Sequence, residues 1–307
     1  MNDSESAVSI STCNGLRGYL RIESQQYLIE PLADDDTGDH ALRTFKNPVS
    51  TCGVTSSSWD APHPTGRTAG KTKTSATSFL EEKKYVELFI VVDHREYQRL
   101  RRDLNAVRGR IFQMVNFANM VYQQLNTSIV LVGMEVWSDR DRIEVVESPG
   151  QTLNHFETWR NRVLMKNKPH DNAQLITGME FEGATVGMAF VGGVCTIQSV
   201  GVVQDHNSQV IPVAATLAHE IGHNLGMRHD SEGCSCGQGK ACIMAAVLSR
   251  QVPRLFSSCS SRGYGEFLRV DTPGCLFDRP DIVLVSDSLC GNGVVDPGEE
   301  CDCGAEE

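Results

Sequence analysis

The sequence predicts an α/β fold: a sandwich with a mixed, mostly parallel central sheet and a histidine-bearing helix, followed by a small C-terminal module that depends on disulfides. Three observations favour this fold. Segments of strand and helix character alternate along the chain, one strand segment is almost continuously apolar, and the cysteine-rich end has few residues for a core. With 307 residues, 40% of them hydrophobic, the chain can build one large core.

The regular elements begin after residue 80. The apolar and β-branched run at 85–92 predicts a strand buried on both faces. Residues 104–125 place apolar side chains at spacings of three and four, which predicts a long amphipathic helix. The other predicted elements are a strand at 129–137, a helix at 152–164, strands at 173–177 and 184–190, and a helix at about 213–225. This alternation predicts the mixed α/β sandwich.

The flanks differ in composition from this central part. Residues 1–55 contain two short β-like runs, at 18–22 and 27–29. Residues 56–80 consist largely of Ser, Thr, Gly, Pro and Lys, which predicts a linker. Residues 285–307 are rich in Gly, Asp, Glu and Cys, so we expect the start of a second module, cut off at the end of the sequence.

Charge and cysteine content restrict the partners and the compartment. The net charge of −11 argues against nucleic acid as a partner, because phosphate binding needs concentrated Lys and Arg. The arginines between Arg99 and Arg110 predict a solvated helix face. Eleven cysteines indicate disulfides and an oxidising compartment. The sequence starts without a signal peptide and has no apolar stretch of the ~18 residues that a membrane helix needs, so we expect a fragment of a longer protein.

The strongest motif runs from His219 to Asp230 and reads HEIGHNLGMRHD. Histidines four apart lie on one face of a helix, so His219 and His223 can direct their imidazoles at one metal ion. Gly226 permits a positive-φ turn, which returns His229 as a third ligand. Three protein ligands leave one position open, and this indicates a catalytic rather than a structural zinc.

Glu220 lies next to the histidine face, where it can reach a water on the metal without being a ligand. Zinc lowers the pKa of such a water towards ~7, so Glu220 can accept its proton during attack on a peptide carbonyl. The acid then returns the proton to the leaving amine. The motif therefore predicts peptide-bond hydrolysis with Glu220 as the catalytic base. Surface histidines on an amphipathic helix are the alternative, which the fixed positions of Gly226, His229 and Asp230 disfavour.

The segment resembles the zinc motif of the metzincins. Asp230 after the third histidine resembles the adamalysin (reprolysin) branch, which includes snake-venom metalloproteases and the disintegrin-and-metalloprotease family. Cys242-Ile243-Met244 is similar to that family's methionine turn, although a methionine such as Met244 is often ordinary core packing.

The resemblance implies a domain organisation. Residues 1–55 match the C-terminal part of a prodomain, and residues 81–280 match a reprolysin-type metalloprotease domain with a metzincin-type sandwich. Residues 285–307 match the start of a disintegrin domain. The family implies a single-pass membrane protein, extracellular or at the cell surface, although the fragment itself has no transmembrane segment.

The resemblance also implies roles for cysteines. The implied disulfides are Cys195–Cys275, Cys234–Cys259 and Cys236–Cys242. In the alternative, Cys234, Cys236 and Cys242 bind a structural zinc, although such sites usually show Cys-x-x-Cys spacing. Cys52, in Thr-Cys-Gly-Val, resembles the family's cysteine switch, in which a prodomain thiolate takes the open zinc position. A disulfide with Cys13 is the alternative. Residues 66–73 lack the paired basic residues of a usual activation site.

Two calcium sites are implied by similarity alone. In the protease domain the ligand positions are Glu87, Asp171, the carbonyl of Cys275, and Asp278, where relatives more often have Asn. In the C-terminal module they are Asn292, Asp296, Glu299 and Asp302, with the carbonyls of Leu289 and Val294. A solvated acidic loop is the alternative for both.

Residues 184–190 match the family's edge strand, which pairs with an extended protein substrate through main-chain hydrogen bonds. Residues 245–253 are the expected pocket wall, and their Ala, Val and Leu favour an apolar side chain after the cleaved bond, unless they are simply core. A disintegrin module implies integrins as further partners.

Two other functions remain open, an adhesion protein on the same scaffold and a protein with a structural zinc. Inactive relatives lack Glu220 or a histidine, which disfavours the first. A structural site needs four protein ligands and the motif supplies three, which disfavours the second.

Overall fold

The computed structural model describes residues 6–12, 15–22, 25–32, 38–44, 50–54, 82–237, 241–248, 252–270 and 273–280. The strands are β1 Ala7–Ser11, β2 Arg17–Ile22, β3 Gln25–Pro31, β4 His40–Thr44, β5 Ser50–Cys52, β6 Lys84–Val92, β7 Thr127–Val136, β8 Asn172–Thr177, β9 Thr185–Ala189, β10 Val200–Gln204 and β11 Val247–Leu248. The helices are α1 His94–Arg99, α2 Leu104–Tyr122, α3 Pro149–Trp159, α4 Val210–Asn224 and α5 Ser258–Val270. The linker at 56–80 and the C-terminal module at 285–307 lie outside the described residues.

The centre of the fold is a seven-stranded sheet in the order β11-β5-β9-β10-β8-β6-β7. Four of its neighbouring pairs are parallel (β6 with β7, β6 with β8, β8 with β10, and β5 with β9). The strand β9 runs antiparallel to β10, and β11 runs antiparallel to β5. The structure therefore confirms a mixed, mostly parallel central sheet.

The strand β6 is buried on both faces of this sheet, as the sequence predicts. Leu88 and Ile90 face an apolar cluster formed with α2 and α4, whereas Phe89 and Val91 face a second cluster formed with α3. Side chains on successive residues of a strand point to opposite faces, so helices cover the sheet on both sides.

The three predicted helices are present as α2, α3 and α4, though not with every predicted boundary, and α1 and α5 were not predicted. Asp103 caps α2, since its carboxylate accepts hydrogen bonds from the backbone N–H groups of Asn105 and Ala106. The helix predicted at 152–164 starts earlier, as α3, and continues through a π-helical turn at Arg160–Leu164. Every residue of α4 is buried, so the protein encloses this helix on all sides.

The N-terminal residues form two separate structures. The strands β1–β4 make a four-stranded antiparallel sheet in sequence order. The strand β5 instead lies in the central sheet, between β9 and β11. The polypeptide that the sequence assigns to a prodomain thus contributes a strand to the sheet of the following domain.

The arginines predicted to form a solvated helix face do not form one. Arg101 and Arg102 have positive φ angles and lie in the turn between α1 and α2. Arg110 binds the buried carboxylate of Asp205 through two nitrogens, and Arg99 pairs with the same carboxylate. A buried carboxylate without a partner costs free energy, and Arg99 and Arg110 pair with Asp205 for this reason.

Candidate metal centre and active site

The histidines come together because α4 ends at Asn224, directly after His223. His219 and His223 are both fully inside the protein, on the same side of α4. The chain leaves the helix at Gly226, which has φ of +82°, a conformation that favours glycine. A Cβ at this position would also collide with Phe267. The turn brings His229 back towards the helix.

The three imidazoles present one nitrogen each to a common point. Nε2 of His219 lies 3.1 Å from Nε2 of His223, and Nε2 of His229 lies 3.2 Å from each of them. Nitrogens bound tetrahedrally to one zinc at ~2.0–2.1 Å would lie about 3.3–3.4 Å apart. The spacing therefore fits a zinc ion.

The remaining ring nitrogens determine which lone pairs face the centre. Nδ1 of His219 lies 2.6 Å from the carbonyl oxygen of Ile243, and Nδ1 of His223 lies 2.8 Å from that of Met227. A carbonyl only accepts, so each Nδ1 carries the proton and each Nε2 keeps its lone pair. Two lone pairs cannot hydrogen-bond to each other, and a cation between them resolves the repulsion.

Burial keeps these rings neutral. It lowers the pKa of His219 to about 3, with His229 as a second cause, and it holds the pKa of His223 well below its ordinary value. The pKa of His229 is also lowered, again mainly by burial. Neutral imidazole is the form that binds metals, so the site is ready for a cation at physiological pH.

The carboxylate of Glu220 lies beside the histidines but is not aimed into their cluster as a ligand. The side chain is fully buried, and within the described residues neither oxygen makes a hydrogen bond of ordinary geometry. Burial raises its pKa to about 8, although the neighbouring Cys52 thiol opposes the shift.

The strand β9 leaves room for this carboxylate at Gly187. A Cβ at Gly187 would lie 3.0 Å from Cγ and 2.9 Å from Cδ of Glu220, and closer still to Oε1. Sequence reasoning missed this glycine, because nothing near it in the chain shows what it faces.

Cys52 completes the cluster from the N-terminal segment. Its Sγ lies 3.5 Å from Nε2 of His223, and its thiol is free. Among the described residues, this is the single group of three or more His, Cys, Asp or Glu side chains whose ligand atoms all lie within 4.8 Å of one another. Cys13, the alternative disulfide partner, lies outside the described residues. Burial, followed by the nearby Glu220, raises the pKa of the Cys52 thiol.

Met244 and Asp230 connect the segment after α4 to the metal centre. Met244 is fully buried, and a Cβ added to Gly222 of α4 would lie 2.5 Å from its sulfur. Its carbonyl accepts a hydrogen bond from the backbone N–H of Asp230. The Asp230 carboxylate accepts hydrogen bonds from Ser257 and Ser260. Met244 thus lies directly under the helix that carries His219 and His223.

Asn224, at the end of α4, joins the helix to the sheet in a way that the sequence does not reveal. Its side-chain amide donates to the carbonyls of Phe190 and Val200, and its oxygen accepts from Asn172 and Gln174. All four hydrogen bonds are buried or partly buried, so they fix the end of the helix that carries the metal ligands.

The comparison with known families agrees with this geometry. A model of the reprolysin (M12B) zinc metalloprotease family matches residues 84–280, which is most of the chain. The chain belongs to the reprolysin family. The resemblance seen in the sequence is thereby confirmed, and membership implies zinc metalloprotease activity, with Zn²⁺ as cofactor and proteins as substrates.

This reprolysin is also similar to a solved chain described as part of a "chaperone-substrate complex". The similarity covers 63% of this chain and 35% of that one, with 15% sequence identity and a TM-score of 0.49. The reprolysin chain therefore spans about a third of that protein's length. Within the described residues, none of its helices is both long and apolar enough to cross a membrane.

Within the described part of the chain, three disulfides join segments near the reprolysin site. They are Cys195–Cys275, Cys234–Cys259 and Cys236–Cys242. Because Cys234, Cys236 and Cys242 are all in disulfides, their thiolates are not free to hold a second zinc.

The structure brings part of the first candidate calcium site together. The backbone N–H of Glu87 donates to the carboxylate of Asp171, at 2.9 Å. Burial raises the pKa of Asp171 to about 7, and the charges of Glu87 and Asp278 add to the shift. These carboxylates nevertheless do not converge as closely as the histidine cluster does within the described residues. The second candidate site, at 289–302, lies outside the described residues.

Proposed function

We propose that this reprolysin is an endopeptidase that cleaves extended segments of extracellular or cell-surface proteins, and that its domain occupies residues 81–280. The observation that carries the proposal is the convergence of three Nε2 atoms, from His219, His223 and His229, beside a buried carboxyl group. Three nitrogen ligands with an open fourth position are the arrangement of a catalytic zinc.

In the proposed mechanism, His219, His223 and His229 hold the zinc and Glu220 moves the proton. A zinc bound here would supply a Lewis acid that polarises the peptide carbonyl and makes water a nucleophile near neutral pH. The Glu220 carboxylate accepts the proton of the attacking water and, as the acid, donates it to the leaving amine. Its burial suits this role, because a raised pKa makes it both a better base and a usable acid near neutral pH.

The substrate is proposed to pair with the edge strand β9. The N-terminal segment already uses this edge: the N–H of Thr51 donates to the carbonyl of Ala184, and that of Gly53 donates to the carbonyl of Gly187. An extended peptide can make the same kind of main-chain bond with any sequence, so selectivity must come from pockets. Residues 245–253 are proposed to form the wall of the pocket that accepts an apolar side chain.

Latency is proposed to come from Cys52. The strand β5 lies between β9 and β11, and the N–H of Cys52 also donates to the carbonyl of Ala246. This segment therefore covers the edge that a substrate needs. A thiol beside His223 can become a thiolate ligand once a zinc is bound, since metals deprotonate coordinating thiols.

The remaining features are proposed from family resemblance. Glu87, Asp171, Cys275 and Asp278 are proposed to bind calcium, as are the ligand positions at 289–302. The start of a disintegrin domain at 285–307 would recruit integrins, and the full-length protein would be anchored at the cell surface.

The proposed function can be tested with a quenched peptide library. The chain with Cys52→Ser should cleave peptides with zinc and lose activity with a chelator. Glu220→Ala should reduce kcat by a factor on the order of 10²–10⁴ while it retains bound zinc. Glu182→Ala, at an exposed glutamate, is the matched control and should be unaffected. Zinc-loaded protein without activity, or equal cleavage by Glu220→Ala, would overturn the mechanism.

A further inference from the structure

A groove beside the proposed substrate edge has no part in the proposed mechanism. Its volume is about 410 Å³, and it lies between the start of α3, the segment before that helix, and the loop after β8. The residues that line it are Val145, Val146, Glu147, Ser148, Gln151 and Met179. The groove thus combines an apolar lining with a single charged residue.

Hydrogen bonds hold the walls of this groove in place. The hydroxyl of Thr152 in α3 donates to the carbonyl of Val146 and accepts from the N–H of the same residue, at 2.9 Å each. The N–H of Glu182 donates to the carbonyl of Glu147, also at 2.9 Å. Met179 packs against the apolar cluster on the α3 side of the central sheet. The fold itself therefore shapes the groove, as is usual for ligand sites.

The groove lies next to β9, the strand proposed to pair with the substrate. A Cβ added to Gly150, at the start of α3, would lie 3.8 Å from the sulfur of Met188 in β9. The side chain of Met188 packs on the α3 side of the sheet. Its neighbour Gly187 instead faces Glu220, on the side of α4. The groove is thus beside β9 on the face away from Glu220.

A peptide paired with β9 directs some of its side chains towards α3, because successive side chains of a strand point to opposite faces. Gly53 shows where such a side chain would lie, since its N–H donates to the carbonyl of Gly187 in β9. A Cβ at Gly53 would lie 2.9 Å from Cε of Met188 and 2.9 Å from Cγ2 of Thr185. A substrate side chain at the level of Gly53 therefore contacts Met188, next to the groove.

Charge and apolar surface together select the side chain that fits the groove. Residues 144–151 and 179–182 contain four glutamates and no lysine or arginine. The N-terminus of α3 carries about half a positive charge, which these full negative charges outweigh. Lys and Arg bury their aliphatic stems on apolar surface and keep the charged head in water. The apolar lining suits such a stem, and the exposed Glu147 suits such a head.

We propose that this groove is a substrate subsite for lysine or arginine, and that Glu147 is a specificity-determining residue. The basic side chain leaves the peptide on the α3 side of β9, passes Met188 and ends at Glu147. The selected residue lies close to the cleaved bond, because Gly53 directly follows Cys52, which reaches His223. The proposal rests on the proposed function in that the substrate pairs with β9, and it adds a preference to a pairing that accepts any sequence.

The test compares peptides that differ at one position. An extended apolar peptide receives lysine, norleucine or glutamate at each position in turn, and norleucine is the uncharged control because it keeps most of the aliphatic stem. Dissociation constants are measured by fluorescence anisotropy with the zinc-loaded chain that carries Cys52→Ser and Glu220→Ala. We expect one position at which lysine binds about two- to fivefold more tightly than norleucine, the gain typical of an exposed ion pair. In the Cys52→Ser chain the same lysine should lower KM by this factor and leave kcat unchanged.

Reversal of charge at two glutamates provides the matched comparison. Glu147→Lys should invert the preference, so that glutamate binds about two- to fivefold more tightly than lysine at that position. Glu182→Lys makes the same change of net charge at an exposed residue outside the lining and should keep the preference for lysine. The norleucine peptide should bind equally to both variants and to the parent, which reports that both variants are folded.

Three results would overturn the proposal. The first is that lysine binds no better than norleucine at any position. The second is that Glu147→Lys and Glu182→Lys change the preference equally, which would indicate a general effect of net charge. The third is a preference for glutamate in the parent, which would assign the groove to an anionic side chain. Because the dissociation constants come from a chain without the catalytic base, a failure of the proposed peptide cleavage would leave this comparison intact.

Discussion

Gly187→Ala is expected to damage catalysis without removing the metal. The added Cβ would lie 2.9 Å from Cδ and 3.0 Å from Cγ of Glu220, and still closer to Oε1. Ordinary carbon contacts need about 3.5 Å, so the carboxylate or β9 must move by roughly 1 Å. Because Glu220 is fully buried and every residue of its helix is buried, we expect the overlap to displace its carboxylate from the position of a general base.

A displacement of this size has a predictable kinetic cost. A misplacement of about 1 Å at a reacting group can reduce the rate by on the order of 10²-fold. The assay is peptide cleavage in the Cys52→Ser chain, with zinc content measured on the same sample. We expect kcat to fall by about 100-fold, KM to change little, and zinc content to stay at the level of the parent.

The matched control is Gly133→Ala in β7, at the far edge of the central sheet from β11. Its Cβ would lie 2.7 Å from Cδ2 of Phe89, a comparably severe overlap away from the metal centre. It should lower the free energy of unfolding by about 1–3 kcal/mol while kcat per folded molecule is preserved. Cleavage by Gly187→Ala within about threefold of the parent would refute the role of Gly187, since this is far from the ~100-fold loss expected of a displaced base.

Three further predictions concern latency, the end of α4 and pH. Cys52→Ser should raise the rate at which the uncut chain cleaves peptides, because a hydroxyl is a poorer zinc ligand than a thiolate. An unchanged rate would contradict the proposal that Cys52 acts as a cysteine switch. Asn224→Ala should lower the free energy of unfolding, measured in urea, by about 3 kcal/mol, since it leaves several buried groups unpaired. A loss below about 1 kcal/mol would contradict the stabilising role of these hydrogen bonds. The pKa of Asp171 is raised to about 7 in the folded chain, so its contribution to stability is present at low pH and is lost as pH rises through about 7. Calcium should therefore raise the melting temperature more at pH 8 than at pH 6, and Asp171→Asn should abolish this difference.

The sequence by itself determined the features that depend on near neighbours in the chain. His219 and His223 share a helix face because of their spacing, and Gly226 ends that helix because of its backbone freedom. The strand at 85–92 follows from its almost continuously apolar run, since a strand covered on both sides buries such a segment. These local rules were sufficient to predict a mostly parallel α/β fold and the candidate zinc site.

Only the tertiary structure decided which distant segments meet. Nothing near Cys52 in the sequence shows that its strand lies between β9 and β11, because sheet neighbours are selected by the packing of the whole chain. The partners of Asn224 are likewise distant in sequence, and so is the room that Gly187 leaves for Glu220. Arg110 was predicted to be solvated and instead binds Asp205, because the cost of burying a carboxylate outweighs the local helix pattern.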